Sequence, residues 1–363
     1  MPADYKIRAV TIHMEKNASM REIEDTVYRA KEAIDMLTDS EGLEVWSFRI
    51  VLPSRENLAK AVETARELED LQEREGIFVN LGLYSIEEEL LDDIAQLVDS
   101  GFFLSIKSDD ESWDEYREIS RFIHSLSDKS PDYAVHLAFN PKASNILTAY
   151  FPLATSPGNK RLVTAALLYP NYLAQNFRSG GINQLEAAMK AAARRAIAMA
   201  EAVARETLAE VGGVDLSVSP WMEESSLALV ETLAGVRMPN PGFAYGLRVL
   251  NEIISRVAGQ VVSTGFNEVQ LPVAEDSRLK VRVAELNTTA RDLLRLSGVC
   301  LAGLDMAVIP ASVDGVAGLL LDAVAYSRAK KGIVGVRVIP VEGVEPGDEV
   351  FLRRFGEVPV IPI

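Results

Sequence analysis

Four acidic residues stand in or beside apolar, strand-forming sequence. Asp215 lies in the run Gly213-Val214-Asp215-Leu216-Ser217-Val218-Ser219-Pro220, Glu275 and Asp276 follow Pro272, and Asp305 interrupts Gly303-Leu304-Asp305-Met306. A carboxylate in such surroundings is costly unless it is paired, hydrogen-bonded or protonated, so each needs a partner, a ligand or a raised pKa. Two readings follow. In the structural one, Asp215 and Asp305 cap adjacent helices or pair with Arg8, Arg49 or Arg337 inside the fold. In the functional one, Cys300, Asp305, Glu275 and Asp276 converge in one cavity as acid–base and thiol groups. Asp215, Ser217, Asn140 and Asn267 then contact the substrate, a small polar metabolite resembling an amino acid or carboxylate. On the functional reading, Asp215→Asn and Asp305→Asn weaken binding or turnover and leave the melting temperature nearly unchanged.

Cys300 follows Gly298 and precedes Gly303, which suggests a turn entering a strand. In an unbroken strand Cys300 and Asp305 face opposite sides, so a Cys–Asp dyad requires a bend at Gly303. Other chemistries lack their motifs. The three histidines, His13, His124 and His136, are scattered without metal-ligand spacing, and each reads as structural. No metal site is expected from them, although an oxygen-only cluster of the acids is compatible with Mg²⁺ or Ca²⁺. Gly180-Gly181 lacks the rest of a phosphate loop, no complete Gly-x-Gly-x-x-Gly follows a strand, and no serine sits in a Gly-x-Ser-x-Gly elbow. No nucleotide cofactor is therefore expected.

Placing these residues requires a scaffold. Apolar β-branched runs alternate with helical periodicity, as parallel βα units require. Strands are expected over Ile7–His13, Leu43–Leu52, Ile77–Leu83, Phe102–Ile106 and Tyr133–Phe139. Five more are expected over Arg161–Leu168, Val214–Ser219, Gln260–Val273, Leu304–Ile309 and Ile333–Ile339. Ser19 with Glu22, Ser85 with Glu88 and Ser112 with Glu115 have the spacing of helix-opening capping boxes, and Ser54 opens another helix. Later helices are expected near 182–210, 223–234, 243–257, 284–296 and 313–330. No linker divides the chain, so residues 1–363 read as a single α/β domain in two five-stranded halves. The Ala-rich stretch 182–210 permits close helix packing and, with other apolar helix faces, suggests a homodimer.

Several motifs resemble those of a known family: Gly213 to Pro220, Pro272-Val273-Ala274-Glu275-Asp276, Cys300 to Pro310, Val336-Arg337-Val338-Ile339-Pro340, and the opening Ile7-Arg8-Ala9-Val10-Thr11-Ile12. Their order and spacing resemble the domain-of-unknown-function 711 family, also called uncharacterised protein family 0210, over essentially the whole chain. The resemblance implies a ten-stranded barrel of two five-stranded halves, related to the barrel of glycyl radical enzymes. It also implies a possible partnership with a small ACT-type regulatory protein. Histidines that the family pattern places near Ala149–Ala154 and Asn240–Phe243 are missing here. Arg256-Val257-Ala258-Gly259 resembles the stretch that carries a radical glycine, but Gly259 precedes Cys300 and no aromatic residue follows, so a helix end is the expected role.

The chain carries 37 Lys plus Arg against 53 Asp plus Glu, a formal charge of −16 over 363 residues. That field repels nucleic acid and anionic lipid. A single cysteine cannot form an internal disulfide, and the N-terminal residues lack the apolar core of a signal peptide, which fits a cytoplasmic protein. No uncharged apolar run approaches the ~18 residues of a membrane span. Two functions remain open from sequence: a small-molecule barrel enzyme, or a non-catalytic ligand-binding regulator working with the ACT-type partner.

Overall fold

The computed structural model describes residues 5–299, 301–330 and 332–363. One large mixed sheet dominates it, with strands β1 (Lys6–His13), β2 (Phe48–Val51), β3 (Phe78–Tyr84), β4 (Phe103–Ile106), β5 (Leu137–Phe139), β6 (Leu162–Leu168), β7 (Glu210–Asp215), β8 (Gly303–Pro310) and β9 (Gly335–Val341). Their spatial order is β7-β6-β1-β2-β3-β4-β5-β9-β8. From β1 to β5 neighbours run parallel, each connected through helices. The pairs β6–β7 and β8–β9 are parallel within themselves and join that central group antiparallel, at β1 and β5. A separate hairpin, β10 (Glu349–Leu352) and β11 (Gly356–Pro359), follows near the C-terminus.

Two-residue periodicity separates the faces of the sheet. Val10 and Ile12 of β1, Ile50 of β2, Val79 and Leu81 of β3, and Leu104 and Ile106 of β4 join the main apolar core, to which the helices also contribute. The alternate positions carry Thr11, His13, Arg49, Asn80 and Ser105, all buried. These polar side chains grip main-chain carbonyls of a loop laid across that inner face, residues 146–155. Thr11 Oγ1 and Arg49 Nη1 donate to the carbonyl of Ala149 at 3.4 and 3.1 Å. Ser105 Oγ donates to that of Pro152 at 2.7 Å, and Asn80 Nδ2 donates to the same carbonyl. His13 Nδ1 donates to that of Thr155 at 3.0 Å, while its Nε2 accepts from Thr164 Oγ1 at 3.0 Å.

Nine of the ten expected strand regions thus overlap strands of the sheet, although β7 runs over Glu210–Asp215 and shares only Val214 and Asp215 with the expected Val214–Ser219. The tenth, Gln260–Val273, does not form a strand among the described residues. Its residues make isolated parallel bridges, Val214 with Ser263 and Val218 with Val269 on the β7 side, and Val269 with Leu301 beside β8. The sheet is not closed by continuous pairing. The reason is local: Phe266 and Asn267 donate their N–H groups to the Asp215 carboxylate instead of to a strand. Helix starts also need correction. Ser19 and Ser112 cap helices as expected. Asn57 rather than Ser54 caps Leu58–Glu75, because Ser54 Oγ accepts from Leu83 N. Ser85 binds Asp109, and the helix there starts at Leu91 after a 3₁₀ turn. The helix expected near 284–296 is shorter, Ala290–Arg295 running into a 3₁₀ turn at Leu296–Val299, and an additional short helix, Ser277–Val283, precedes it. The segment Pro170–Glu206 is two helices joined by a kink at Gly180 and Gly181, and in the Ala-rich second one Ala188, Ala192, Ala193, Ala196 and Ala200 are buried as the segment packs on β6, β7 and the helix Met20–Glu41. These alanines are thus covered within the chain. Among the described residues, no helix is long and apolar enough to cross a membrane.

Buried His13 has a consequence for stability. Burial lowers its pKa to about 4. Below pH 6.5 the unfolded chain takes up a proton that the folded state refuses, so stability is lost as pH falls from 6.5 towards 4, by on the order of 3 kcal/mol from this group. Urea titrations at pH 7 and 4.5 should show a smaller pH-dependent loss in His13→Gln than in the parent. Asp215 and Asp276, whose pKa values burial raises, act in the opposite sense near pH 4 but equally in both proteins.

Candidate ligand-binding cavity

A cavity of about 640 Å³ opens between the inner sheet face, the 146–155 loop and the β10–β11 hairpin, within the range of small-molecule sites. Its charged groups come from strand irregularities. Arg8 stands where the β1 pairing with β6 shifts register between Ile7 and Ala9, and Asp305 where the β8–β9 register shifts between Leu304 and Ala307. Bulges of this kind re-aim a side chain out of the regular alternation. The bend at Gly303 is real: its φ is +137°, and a Cβ there would lie 2.0 Å from the Gly335 carbonyl oxygen, so only glycine fits.

Glu275 sits between two buried arginines. Its Oε2 accepts from Arg8 Nη2 at 2.5 Å and its Oε1 from Arg337 Nη2 at 3.3 Å. Arg337 then forks onto Asp305, Nε to Oδ1 at 2.6 Å and Nη2 to Oδ2 at 3.0 Å. Burial works against the Arg337 charge, but Asp305 and Glu275 outweigh it and raise the guanidinium above its usual range. Arg8 also donates to the Pro220 carbonyl and lies 5.3 Å from the Trp46 ring centre, while its Nε is buried without a partner.

Two further arginines lack this compensation. Arg49 is 9% exposed; its Nε donates to Ser47 Oγ and its Nη1 to the Ala149 carbonyl. Burial and the nearby Arg8 charge push it down to about 9. Arg354, from the hairpin turn, reaches over the rings of Phe78 and Trp221 at 5.1 and 5.8 Å. Among the described residues, no carboxylate lies within ion-pair distance of either. Arg8, Arg49, Arg337 and Arg354 face only Glu275 and Asp305, an excess of two positive charges at the inner end. Towards the mouth the acids are in excess, Lys31 pairing with Glu75, Arg353 with both Asp99 and Asp132, and Asp35 standing exposed, so that the positive excess is confined to the inner end.

Of the residues singled out in the sequence, Glu275 and Asp305 line this cavity, and both are ion-paired. Asp276, Asp215, Ser217, Asn267 and Asn140 do not line it. Asp276 caps the helix Ser277–Val283 and accepts from Leu227 N and Ser225 Oγ. Asp215 is fully buried and accepts from Thr148 Oγ1, Ser217 N, Ser217 Oγ, Phe266 N and Asn267 N at 2.6–3.1 Å. Ser217 and Asn267 thus serve Asp215, and Asn267 Oδ1 also accepts from Leu216 N. Asn140 closes its own turn, bonding Lys142 N and the Ser144 carbonyl. Cys300 lies outside the described residues. Among those described, no group of three or more His, Cys, Asp or Glu is arranged to hold a metal ion.

Asp215 therefore fastens residues 264–267 to β7, and burial raises its pKa despite the five donors. Asp215→Asn turns a side-chain N–H₂ towards backbone N–H donors and should destabilise by about 2–4 kcal/mol in chemical denaturation. An unchanged denaturation midpoint would contradict that role.

The arginine half of the cavity was visible in sequence only as possible partners for the acids. Arg8, Arg49 and Arg337 interrupt apolar strand runs as the acids do, and the burial cost that draws attention to a carboxylate applies equally to them.

Fold and site together define an α/β protein with an arginine-rich, aromatic-walled internal cavity. The chain matches the family described as Uncharacterised ACR (DUF711) over residues 3–353 and belongs to it. It is 34% identical over 177 residues to a UPF0210 protein of Pyrobaculum arsenaticum, covering 46% of this chain and 40% of that one. A UPF0210 protein of Pyrobaculum aerophilum is 33% identical over 200 residues, 52% and 45% of the two chains. The matched regions span less than half the length of these relatives. With a UPF0210 protein of Pyrobaculum islandicum, identity is 25% over 358 residues, 90% of this chain and 80% of the other.

Proposed function

We propose that the protein binds a small organic anion in the 640 Å³ cavity, with Arg49 and Arg354 receiving its charge. The observation that carries this reading is the buried Arg49 guanidinium without a carboxylate partner among the described residues. An uncompensated buried charge persists at a cost to stability, and a ligand anion removes that cost when it binds. Glu275 and Asp305 are ion-paired, which suits them to fixing guanidinium positions rather than exchanging protons. Binding is therefore the function the geometry supports best; catalysis on a carboxylate metabolite would be an addition to it. The same reading treats residues 263–269, with their bridges towards both sheet edges, as the tenth stave of the barrel that the family resemblance implies.

The test is a thermal-shift screen with amino acids, keto acids, aromatic acids and phosphate esters, then calorimetry and turnover assays on the hits. A true ligand at a hundredfold excess over Kd stabilises by ~2.7 kcal/mol. Stabilisation by neutral or cationic compounds alone overturns the anion reading. Stabilisation without turnover supports a binding protein, and turnover an enzyme.

A further inference from the structure

Resting on that reading, we infer that the anion carries an aromatic ring, and that His136 accepts a hydrogen bond from an O–H or N–H on that ring. Connected aromatic chains make up much of the cavity wall. On one side Trp46 and Trp221 lie 4.5 Å apart between ring centres, and Phe355 meets Trp221 edge-on at 5.7 Å. On another, Phe103 stacks on His136 at 4.3 Å and meets Phe151 edge-on at 5.4 Å. All six line the cavity. Arginines lie over these rings, Arg8 over Trp46, Arg49 over Phe151 and Arg354 over Trp221. A ring placed among them would have edges and faces to meet while its acidic group reached the guanidiniums. An aliphatic acid would satisfy the arginines and leave the aromatic surface wet.

The polar contact comes from His136. Its Nδ1 lies 3.0 Å from the Phe102 carbonyl, which can only accept, so Nδ1 carries the proton and Nε2 presents a lone pair. Among the described residues, no protein group bonds Nε2. Burial and the charges of Arg337 and Arg354 hold the ring neutral, with a pKa of about 4, so Nε2 remains an acceptor at neutral pH.

Calorimetry with matched probes tests this. Benzoate should bind about tenfold more tightly than cyclohexanecarboxylate, as an aromatic contact beyond area burial predicts. The added hydroxyl of 4-hydroxybenzoate should strengthen binding by a further several-fold. Trp221→Leu should shrink the first ratio, and His136→Phe the second. Tighter binding of phenyl phosphate than of benzoate keeps the ring and assigns a phosphate head group. Equal binding of benzoate, cyclohexanecarboxylate and succinate, lost in Arg49→Met, overturns the ring inference and leaves the anion reading standing. Absence of binding by every probe at millimolar concentration overturns both.

Discussion

Glu275→Gln is expected to cost about 3–5 kcal/mol of folding stability, the largest effect of any single change at the cavity. The carboxylate is shared by Arg8 and Arg337, each less than 10% exposed. The amide keeps the volume but turns a donor towards one of two donors. Arg337 retains Asp305, whereas Arg8 loses its one carboxylate partner among the described residues, and breaking a buried pair strands a charge. Urea denaturation with an unchanged slope would measure the loss. Asp305→Asn should cost less, because Arg337 keeps Glu275 and the Asp305 side chain is a third exposed. If the charge is what matters, removing both partners in Arg8→Met with Glu275→Leu should restore much of the stability. A small loss for Glu275→Gln, or a larger one for Asp305→Asn, would refute this account.

Arg49→Met is expected to act in the opposite way, strongly weakening anion binding with little change in stability. Methionine keeps an unbranched apolar stem and removes a desolvated charge that lacks a counter-ion. The change forfeits hydrogen bonds to Ser47 and Ala149. These terms oppose each other, so the net change should stay within about 1 kcal/mol. Binding should weaken by ~2–4 kcal/mol, roughly thirtyfold to a thousandfold, the range for losing one charge-assisted contact in a desolvated site. Unfolding of Arg49→Met would mean that the guanidinium is structural, and unchanged affinity would place the ligand elsewhere.

The contrast between these two residues explains what the sequence could and could not disclose. Nine strands were legible because apolar β-branched runs bounded by turn residues suffice to mark them. Gln260–Val273 has similar composition, but its N–H groups at Phe266 and Asn267 are taken by a side chain fifty residues away. That is a tertiary choice no local pattern encodes. The β10–β11 hairpin escaped notice because its strands, Glu-Val-Phe-Leu and Gly-Glu-Val-Pro, carry charged, exposed residues and no apolar β-branched run. Asp305 and Glu275 were legible as costly carboxylates. Their separation from Asp215 and Asp276 was not, since all four have the same local signature and differ only in which donors the fold supplies. Arg49 differs from Arg8 in the absence of one partner, which only coordinates reveal.

The loop across the inner face is held by its backbone. Thr11, Arg49, Asn80, Ser105 and His13 bind the carbonyls of Ala149, Pro152 and Thr155, atoms that every residue possesses. Meanwhile Tyr150, Phe151 and Leu153 present their side chains to the cavity. The attachment therefore rests mainly on atoms independent of the side chains it displays, with the Tyr150 hydroxyl adding one bond to the Ser217 carbonyl. A chain built this way can change its ligand by substitution at these three positions while the loop keeps its path. The grip resembles a fixed mount with exchangeable tools, in which new specificity requires no new scaffold.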